Sequence, residues 1–220
     1  MELHKIEENL NNPDFQHRLK AVSALKDYES DVAVPLLTSK LRDQEFLVRS
    51  FVAMGLGKQQ TAESFAALMQ IMKFDDNPNV RAEASNSLSL FGRVAASHLV
   101  LAFYKDDHWL VRRSILGALA DLQCYEELFD VCLEAIKGED TTVRESAVDA
   151  LGMLSSTNQR VLALSQLLLL TSHESERIRI HVAYALKQFD EPPAREALEQ
   201  LRQDTDHRVV AAALEDLLEE

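Results

Sequence analysis

A repeat with a step of about 31 residues constrains the fold of this chain more than any other feature of its sequence. In the strongest copies, such as LVRSFVAMGLG and TVRESAVDALGML, an arginine follows an apolar residue. The arginines, taken as anchors, are Arg18, Arg49, Arg81, Arg112, Arg144, Arg179 and Arg208, at intervals of 31, 32, 31, 32, 35 and 29 residues. A step kept over six intervals predicts a stack of similar units rather than a globular enzyme fold without repeats.

Each copy has the pattern of one amphipathic helix. Small or apolar residues stand at positions −1, +3, +6 and +7 from the arginine, as Val143, Ala147, Ala150 and Leu151 do around Arg144. These positions share one helix face, and alanine recurs at +3 and +6 because closely packed helices tolerate only a small side chain there. A second amphipathic segment lies between successive anchored helices, so the chain is predicted to form helical hairpins.

We therefore predict an all-α solenoid in a single domain, residues 1–220, of about seven hairpins. Their approximate limits are 1–28, 31–57, 61–92, 94–122, 125–154, 158–189 and 192–219. Acids before the anchored helices are predicted N-caps, namely Asp43, Asp76, Asp107, Asp140 and Asp204. Gly57 and Gly92 are predicted C-terminal caps, and the acidic end LEDLLEE a terminal cap of the stack.

The charge balance limits the classes of partner. With 23 Lys and Arg against 36 Asp and Glu, the formal net charge is −13, which disfavours nucleic acids and anionic membrane surfaces. The start, MELHKIEENL, lacks the features of a signal peptide, and the longest apolar stretch, 161–170, is about half the length that spans a bilayer. We predict a cytoplasmic protein with no membrane span and no nucleic-acid partner.

The second helix of each hairpin carries the pattern D-x-x-x-x-V-R-x-x-A-x-x-A-L, clearest in DDHWLVRRSILGAL and DTTVRESAVDALG. This pattern resembles the HEAT repeat over the whole chain, and the short period is most similar to the phycobilisome-lyase-type HEAT-like repeats. The resemblance implies a right-handed α-solenoid. Members of that family include bilin lyase subunits, a homologue that helps to dismantle phycobilisomes, and scaffolds for assembling protein complexes, one of them in iron–sulfur cluster assembly.

The sequence offers little for catalysis. Among its seven histidines none pairs with another His or Cys at helical spacing, and no nucleotide-binding or hydrolase motif is present. Deoxyhypusine hydroxylase, a HEAT-repeat di-iron enzyme, needs several His-Glu pairs, whereas this chain has one, His173–Glu174. We predict no catalytic residue, metal or cofactor. The alternative that the resemblance implies is a bilin lyase or bilin-handling protein that binds its bilin transiently.

Two interpretations of the anchor arginines follow from their position. They could bind an acidic partner or the propionates of a bilin. They could instead pair with the capping aspartate of their own or the next repeat, and recurrence at the repeat period favours this structural role.

Partner contacts are predicted where the second helices vary between copies, at +1, +2 and +5, on a concave face. His108 and Trp109, which begin the anchored helix of Arg113, are added to these positions. The predicted partner-binding residues are Glu83, Asn86, His108, Trp109, Arg113, Glu145, Asp149, His181 and Tyr184. The predicted function is a non-catalytic scaffold or adaptor, a monomer or weak dimer, with a protein partner such as a phycobiliprotein or a complex-assembly factor. The leucines of 161–170 occupy more than one helix face, which burial in the stack or an interface would explain.

Overall fold

The computed structural model describes residues 1–215, and this part of the chain consists of fourteen α-helices joined by short turns, with no strand. Successive helices pair as hairpins, in which the anchored helix is the second. The predicted all-α class is therefore confirmed. Residues 216–220, most of the predicted acidic cap, lie outside the described residues.

The contacts group into two compact units, Met1–Leu122 and Gln123–Glu220. The division falls between the fourth and fifth hairpins, within a chain for which the sequence predicts a single domain. No helix among residues 1–215 is long and apolar enough to cross a bilayer.

The first unit contains four hairpins. Its helices are α1 (Leu3–Leu10), α2 (Phe15–Ala24), α3 (Ser30–Thr38), α4 (Phe46–Gln59), α5 (Ala62–Phe74), α6 (Pro78–Ser89), α7 (Ala96–Lys105) and α8 (Trp109–Asp121). Each second helix packs on its own first helix and on the second helix of the next hairpin, so α2, α4, α6 and α8 form one row.

As far as residue 215, the second unit repeats this arrangement with three hairpins. Its helices are α9 (Tyr125–Lys137), α10 (Thr141–Met153), α11 (Arg160–Leu170), α12 (Glu176–Leu186), α13 (Pro192–Leu201) and α14 (His207–Leu214). Here α10, α12 and α14 form the row of second helices. Each unit thus buries the apolar stripes of its helices against neighbouring hairpins, as stacked repeats do.

The predicted helix face forms the core. In α6 the residues at −1, +3, +6 and +7, Val80, Ala84, Ser87 and Leu88, are all buried. The corresponding residues of α8 and α10 are buried too. Small side chains at +3 and +6 let adjacent second helices approach closely.

The N-caps differ from most of the predicted ones. Asp140 caps α10 as predicted, accepting a hydrogen bond from the Val143 backbone N–H. Four other anchored helices begin one or two residues later than predicted, with caps at Glu45, Asn77, His108 and Asp206. The helices α2 and α12, for which the sequence predicted no cap, have Asp14 and Ser175 at that position. The predicted caps Asp76 and Asp107 stand one residue before the true cap, and Asp43 and Asp204 stand two residues before it.

The two predicted glycine caps also have different outcomes. Gly92 follows α6 with φ +78, a left-handed backbone that favours glycine. Gly57 instead lies buried inside α4, where an added Cβ would stand 2.8 Å from the Cβ of Ser87 in α6. Gly57 is therefore a close-packing residue between two second helices. The helix α4 ends at Gln59, and its C-cap is Gln60, whose own φ is 49.

Candidate interaction surface on the second helices

The anchor arginines join successive hairpins through ion pairs with aspartates. The Nε and Nη2 of Arg49 donate to the two carboxylate oxygens of Asp75 at 2.7 and 2.9 Å, and its Nη1 donates to the Asp43 carbonyl at 2.8 Å. Asp75 also accepts from the Asn77 backbone N–H at 2.9 Å. A guanidinium that pairs with both oxygens of a carboxylate fixes the geometry of two turns at once.

The same arrangement recurs in both units, and we call these four pairs the arginine ladder. The ladder consists of Arg18–Asp43, Arg49–Asp75, Arg81–Asp106 and Arg179–Asp204. Each aspartate stands two residues before the N-cap of the next second helix. The hydrogen bonds from Arg179 hold the pKa of the Asp204 carboxyl below its ordinary value. Of the two pairings that the sequence allowed, these arginines use the aspartate of the next repeat.

Three anchor arginines stand outside the ladder. Arg112 donates to the Asp106 carbonyl at 2.7 Å and lies over the Phe103 ring, 5.2 Å from its centroid. Arg144 donates to the Glu139 carbonyl, but its buried Nε has no hydrogen-bond acceptor among the described residues. Arg208 stands two rather than four residues after its N-cap, so Val210 occupies the anchor position of α14.

The isolation of Arg144 has a cause in the sequence. The residue two positions before the next N-cap is His173 rather than aspartate, and its Nδ1 accepts from the Ser175 N–H as the ladder carboxylates do at their own turns. A carboxylate has two oxygens, so it can accept from the backbone N–H and from an arginine, whereas the imidazole of His173 uses its one acceptor nitrogen for Ser175. The ladder therefore lacks its carboxylate at this turn.

Replacing His173 by aspartate is expected to restore a ladder pair with Arg144. A satisfied partly buried guanidinium should raise the free energy of unfolding by about 1–2 kcal/mol. Urea titration of wild type and His173→Asp would measure the change. Ser172→Asp adds the same charge one residue away on an exposed position and is the control; an equal gain in both variants would show that the effect is not the pairing.

The second helices expose a row of side chains on the face away from the core. We call it the second-helix face and define it by positions +2, +5 and +9 from the anchor position. In the first unit these residues are Lys20, Ser23, Asp27, Phe51, Met54, Lys58, Glu83, Asn86, Leu90, Ser114, Gly117 and Asp121, and in the second they include Asp149, Met153, Tyr184 and Gln188. The three positions have the spacing i, i+3, i+7 of one helix face.

Several large apolar side chains on this face are open to solvent. Met54 is 39% exposed, Leu90 50%, Met153 66% and Tyr184 42%. Met54 and Lys58 form part of two adjoining grooves in the first unit, of about 210 and 290 Å³. In the second unit a groove of about 220 Å³ lies beside Met153 and Tyr184.

The predicted residues of the first unit fall in three settings. Asn86 is exposed and Glu83 half-buried in the same groove, and burial raises the pKa of the Glu83 carboxyl. Arg113 is exposed at +1. His108 caps α8 by accepting from the Leu110 N–H at 3.2 Å. Its ring stacks on Trp109, which is 39% exposed.

In the second unit the predicted residues form a cluster of charges. Glu145 is buried rather than free, because Arg177 of the next hairpin lies 2.6 Å from it. His181 Nδ1 lies 2.7 Å from the Asp149 carboxylate. That contact raises the pKa of His181, burial opposes the rise, and the charge of Glu145 adds to it. Tyr184 stands one turn along the same helix.

Protonated His181 is expected to stabilise the second unit. Because its folded pKa is raised above the unfolded value of about 6.5, this stabilisation is complete below about pH 6.5 and is lost as the pH rises through the folded pKa. The midpoint of urea unfolding should therefore be lower at pH 8.5 than at pH 6. Asp149→Asn should reduce that difference and bring the His181 pKa, measured by NMR titration, toward its ordinary value; an unchanged pKa would contradict the pairing.

The sequence interpretation missed the +9 position, where Lys58, Leu90, Asp121 and Met153 stand. The signal was present, since +9 lies on the same helix face as +2 and +5, but the repeat pattern ends at +7. Of the leucines in 161–170, Leu164 and Leu167 are buried, while Leu162 and Leu169 are 51% and 72% exposed beside Val161. Part of that segment is therefore surface.

Within residues 1–215, no group of three or more His, Cys, Asp and Glu side chains is placed to hold a metal ion. Two larger cavities of the first unit, of about 510 and 770 Å³, lie beside the turns that contain Arg81–Asp106 and Arg49–Asp75. Both are bordered by the ends of first helices rather than by the second-helix face.

Comparison with known proteins identifies the repeat. A family model described as HEAT repeats matches residues 3–89, 37–120 and 130–219. Deoxyhypusine hydroxylase-B of Oryza sativa subsp. japonica is 32% identical over 107 residues, which are 48% of this chain and 35% of that protein. The chain thus spans about a third of the length of this curated relative.

Solved structures show the same fold at low sequence identity. The CpcE–CpcF complex of phycocyanin lyase from a Nostoc species is 19% identical with a TM-score of 0.55, covering 100% of this chain and 88% of that one. YibA of Escherichia coli is 15% identical with a TM-score of 0.61, covering 100% and 93%. A designed armadillo repeat protein in complex with the peptide (KR)4 is 18% identical with a TM-score of 0.52, covering 86% and 100%.

Proposed function

Because the chain belongs to the HEAT-repeat family, we propose that it is a non-catalytic scaffold that binds a partner protein through the second-helix face. The observation that carries this proposal is the exposure of Met54, Leu90, Met153 and Tyr184 on that face. Large apolar and aromatic side chains in shallow grooves, ringed by polar groups, are typical of protein interaction sites.

The arginine ladder supports the same function by holding the second helices in place. Each ladder arginine joins two turns that precede neighbouring second helices, so the exposed rows keep a fixed spacing within each unit. A surface fixed before binding loses little conformational entropy when a partner docks. The predicted monomer or weak dimer and the predicted cytoplasmic location stay proposals.

The proposed function can be tested with two charge-introducing double variants. The face variant is Met54→Glu with Leu90→Glu, and the control is Val94→Glu with Tyr104→Glu, whose side chains are 64% and 52% exposed away from the face. A tagged chain would first identify partners by affinity purification and mass spectrometry. Titration with each purified partner should then show a loss of affinity of at least about tenfold for the face variant only.

Circular dichroism melting must be alike for both variants for the comparison to report on binding. If the face variant binds its partner as tightly as wild type does, the second helices are not the working surface. A loss confined to the control variant would place binding on the α7 side of the first unit.

The bilin alternative rests on the likeness to the phycocyanin lyase, and this likeness is one of fold alone. Four of its seven expected propionate ligands, the anchor arginines, already pair with aspartates in the ladder, whereas among the described residues Arg112 and Arg144 donate only to backbone carbonyls. At the ladder a propionate would have to displace these carboxylates, so the geometry there favours the scaffold. Mixing the purified chain with phycocyanobilin tests the alternative; no absorbance shift and no transfer to an apo-phycobiliprotein would remove it.

A further inference from the structure

We infer that the second-helix face of the first unit binds an extended peptide segment with acidic residues beside a large apolar side chain. The inference rests on the proposed function, because it names the class of partner for part of the same face. Groove shape, local charge, an apolar contact site and a free amide each support it.

The two grooves adjoin at shared residues of α4, one on the α2 side and one on the α6 side, and we call the pair of grooves the channel. The first groove, of about 210 Å³, is lined by residues of α2 and α4 and by Lys26, and the second, of about 290 Å³, by residues of α4, α6 and α8. Met54 and Lys58 belong to both. A segment that lies across the row of helices would therefore contact them in succession.

The α2–α4 end of this channel is positively charged. Lys26 and Lys58 line it, no acidic residue does, and both lysines are exposed without an ion pair in the described part of the chain. The exposed residues at +2 and +9 of α2, Lys20 and Asp27, carry opposite charges, so the two lysines of the groove leave this end positive. Each lies near the end of its helix, where the helix dipole offsets about half a unit charge. The two ammonium charges together exceed the two half-charges of the helix ends, so this end of the channel stays positive although the whole chain has a net charge of −13. An acidic segment is the partner that this local field attracts.

The opposite end of the channel sets the direction of the segment. Glu83 and Asp121 line the α4–α6–α8 groove, so carboxylates of a partner are disfavoured there. Met54 and Leu90 are exposed in that groove instead. A thioether on an unbranched side chain adapts to apolar groups of different shapes. The acids of the segment should therefore lie over α2 and α4, and its large apolar side chain between Met54 and Leu90.

Asn86 supplies a contact for the backbone of an extended segment. Its side chain is exposed, lines the second groove, and has no hydrogen bond with any residue of 1–215. A carboxamide can donate to a peptide carbonyl and accept from a peptide N–H at the same time. The backbone of an extended segment presents both groups, which a helical segment satisfies internally.

The distance between neighbouring helices sets the spacing of the acids. Packed helices lie about 8–10 Å apart, and an extended chain advances about 3.3 Å per residue. Lys26 lies just after α2 and Lys58 in the last turn of the neighbouring second helix α4, so two acids about three residues apart match them.

Fluorescence anisotropy with two labelled ten-residue peptides tests the inference. One peptide carries two Glu three residues apart next to a Phe, and the other carries Gln in place of each Glu. Wild type should bind the Glu peptide at least about tenfold more tightly at low salt, and the difference should shrink at about 0.5 M salt. Met54→Ala should weaken binding of the Glu peptide about fivefold.

Two double variants with the same charge change assign the site. Lys26→Glu with Lys58→Glu should lower affinity for the Glu peptide at least about tenfold. Lys5→Glu with Lys137→Glu, both exposed outside the channel, should change it less than about twofold.

Three outcomes would overturn the inference. Equal binding of the Glu and Gln peptides would remove the acidic class, yet sensitivity to Met54→Ala would leave the second-helix face as a binding surface. Equal losses of affinity in the two double variants would mean that the net charge of the chain, and not the channel, determines binding. If neither peptide binds, the partner class is wrong, and the proposed function is still decided separately by titration of the Met54→Glu, Leu90→Glu variant with captured partners.

Discussion

Replacing Asp75 by alanine is expected to lower the free energy of unfolding by about 3–5 kcal/mol, because it leaves the guanidinium of Arg49 without its buried partner. The side chains of Asp75 and Arg49 are 6% and 11% exposed, and the carboxylate also accepts from the Asn77 N–H. Within the described residues, removing it takes the only acceptor from Arg49 Nε and from the Asn77 N–H, and it leaves Arg49 Nη2 with the exposed Asp76 carboxylate alone. In a chain of this size the loss corresponds to a fall in Tm of about 10 °C.

The neighbouring residue provides a matched control. Asp76 lies 3.0 Å from the same guanidinium, but its side chain is 95% exposed. Asp76→Ala should therefore cost less than about 1 kcal/mol. Thermal and urea unfolding of both variants would measure the contrast, and similar losses would mean that burial does not determine the strength of these pairs.

Replacing Gly57 by valine is expected to lower the free energy of unfolding by about 3 kcal/mol, since α4 and α6 leave no room for a side chain there. A Cβ at Gly57 would stand 2.8 Å from the Cβ and 3.2 Å from the Cα of Ser87. The backbone of α6 would have to move, together with the helices packed on it.

Replacing Gly117 in α8 by alanine is expected to change the free energy of unfolding in the opposite direction. An added Cβ there would meet nothing within 4 Å, so Gly117→Ala should raise the free energy of unfolding by about 0.5–1 kcal/mol through helix propensity. Differential scanning calorimetry of both glycine variants tests the pair. A loss at Gly117 would show that the face around it is packed more closely than the structure describes.

The repeat, the helical class and the core positions could be predicted because they depend on period and polarity alone. The residues at −1, +3, +6 and +7 are buried in α6 as the pattern requires. The helix starts were harder, because turns such as 75–77 contain several residues that can cap a helix. Asp75 and Asn77 each accept backbone hydrogen bonds there, and only the position of Arg49 decides which residue caps α6 and which one pairs with the arginine.

The candidate surface was predicted less completely, because exposure depends on neighbours that the sequence does not show. Glu145 occupies a variable position, but Arg177 of the following hairpin covers it. Lys58 and Leu90 were missed because they lie beyond the repeated motif, on the last turn of α4 and just after α6. The sequence allowed each anchor arginine to pair with an aspartate of its own repeat or of the next one. Only the Arg–Asp distances in the structure show that the ladder arginines pair with the next repeat.

The arginine ladder also bears on how fast the chain folds. Each of its ion pairs joins residues only 25 or 26 positions apart in sequence, so the strongest polar contacts between hairpins close short loops. Low contact order predicts rapid folding, and a stack whose hairpins contact mainly their neighbours can nucleate at any adjacent pair. A pair of hairpins linked by one ladder contact is therefore a natural folding nucleus, from which structure would propagate along each unit.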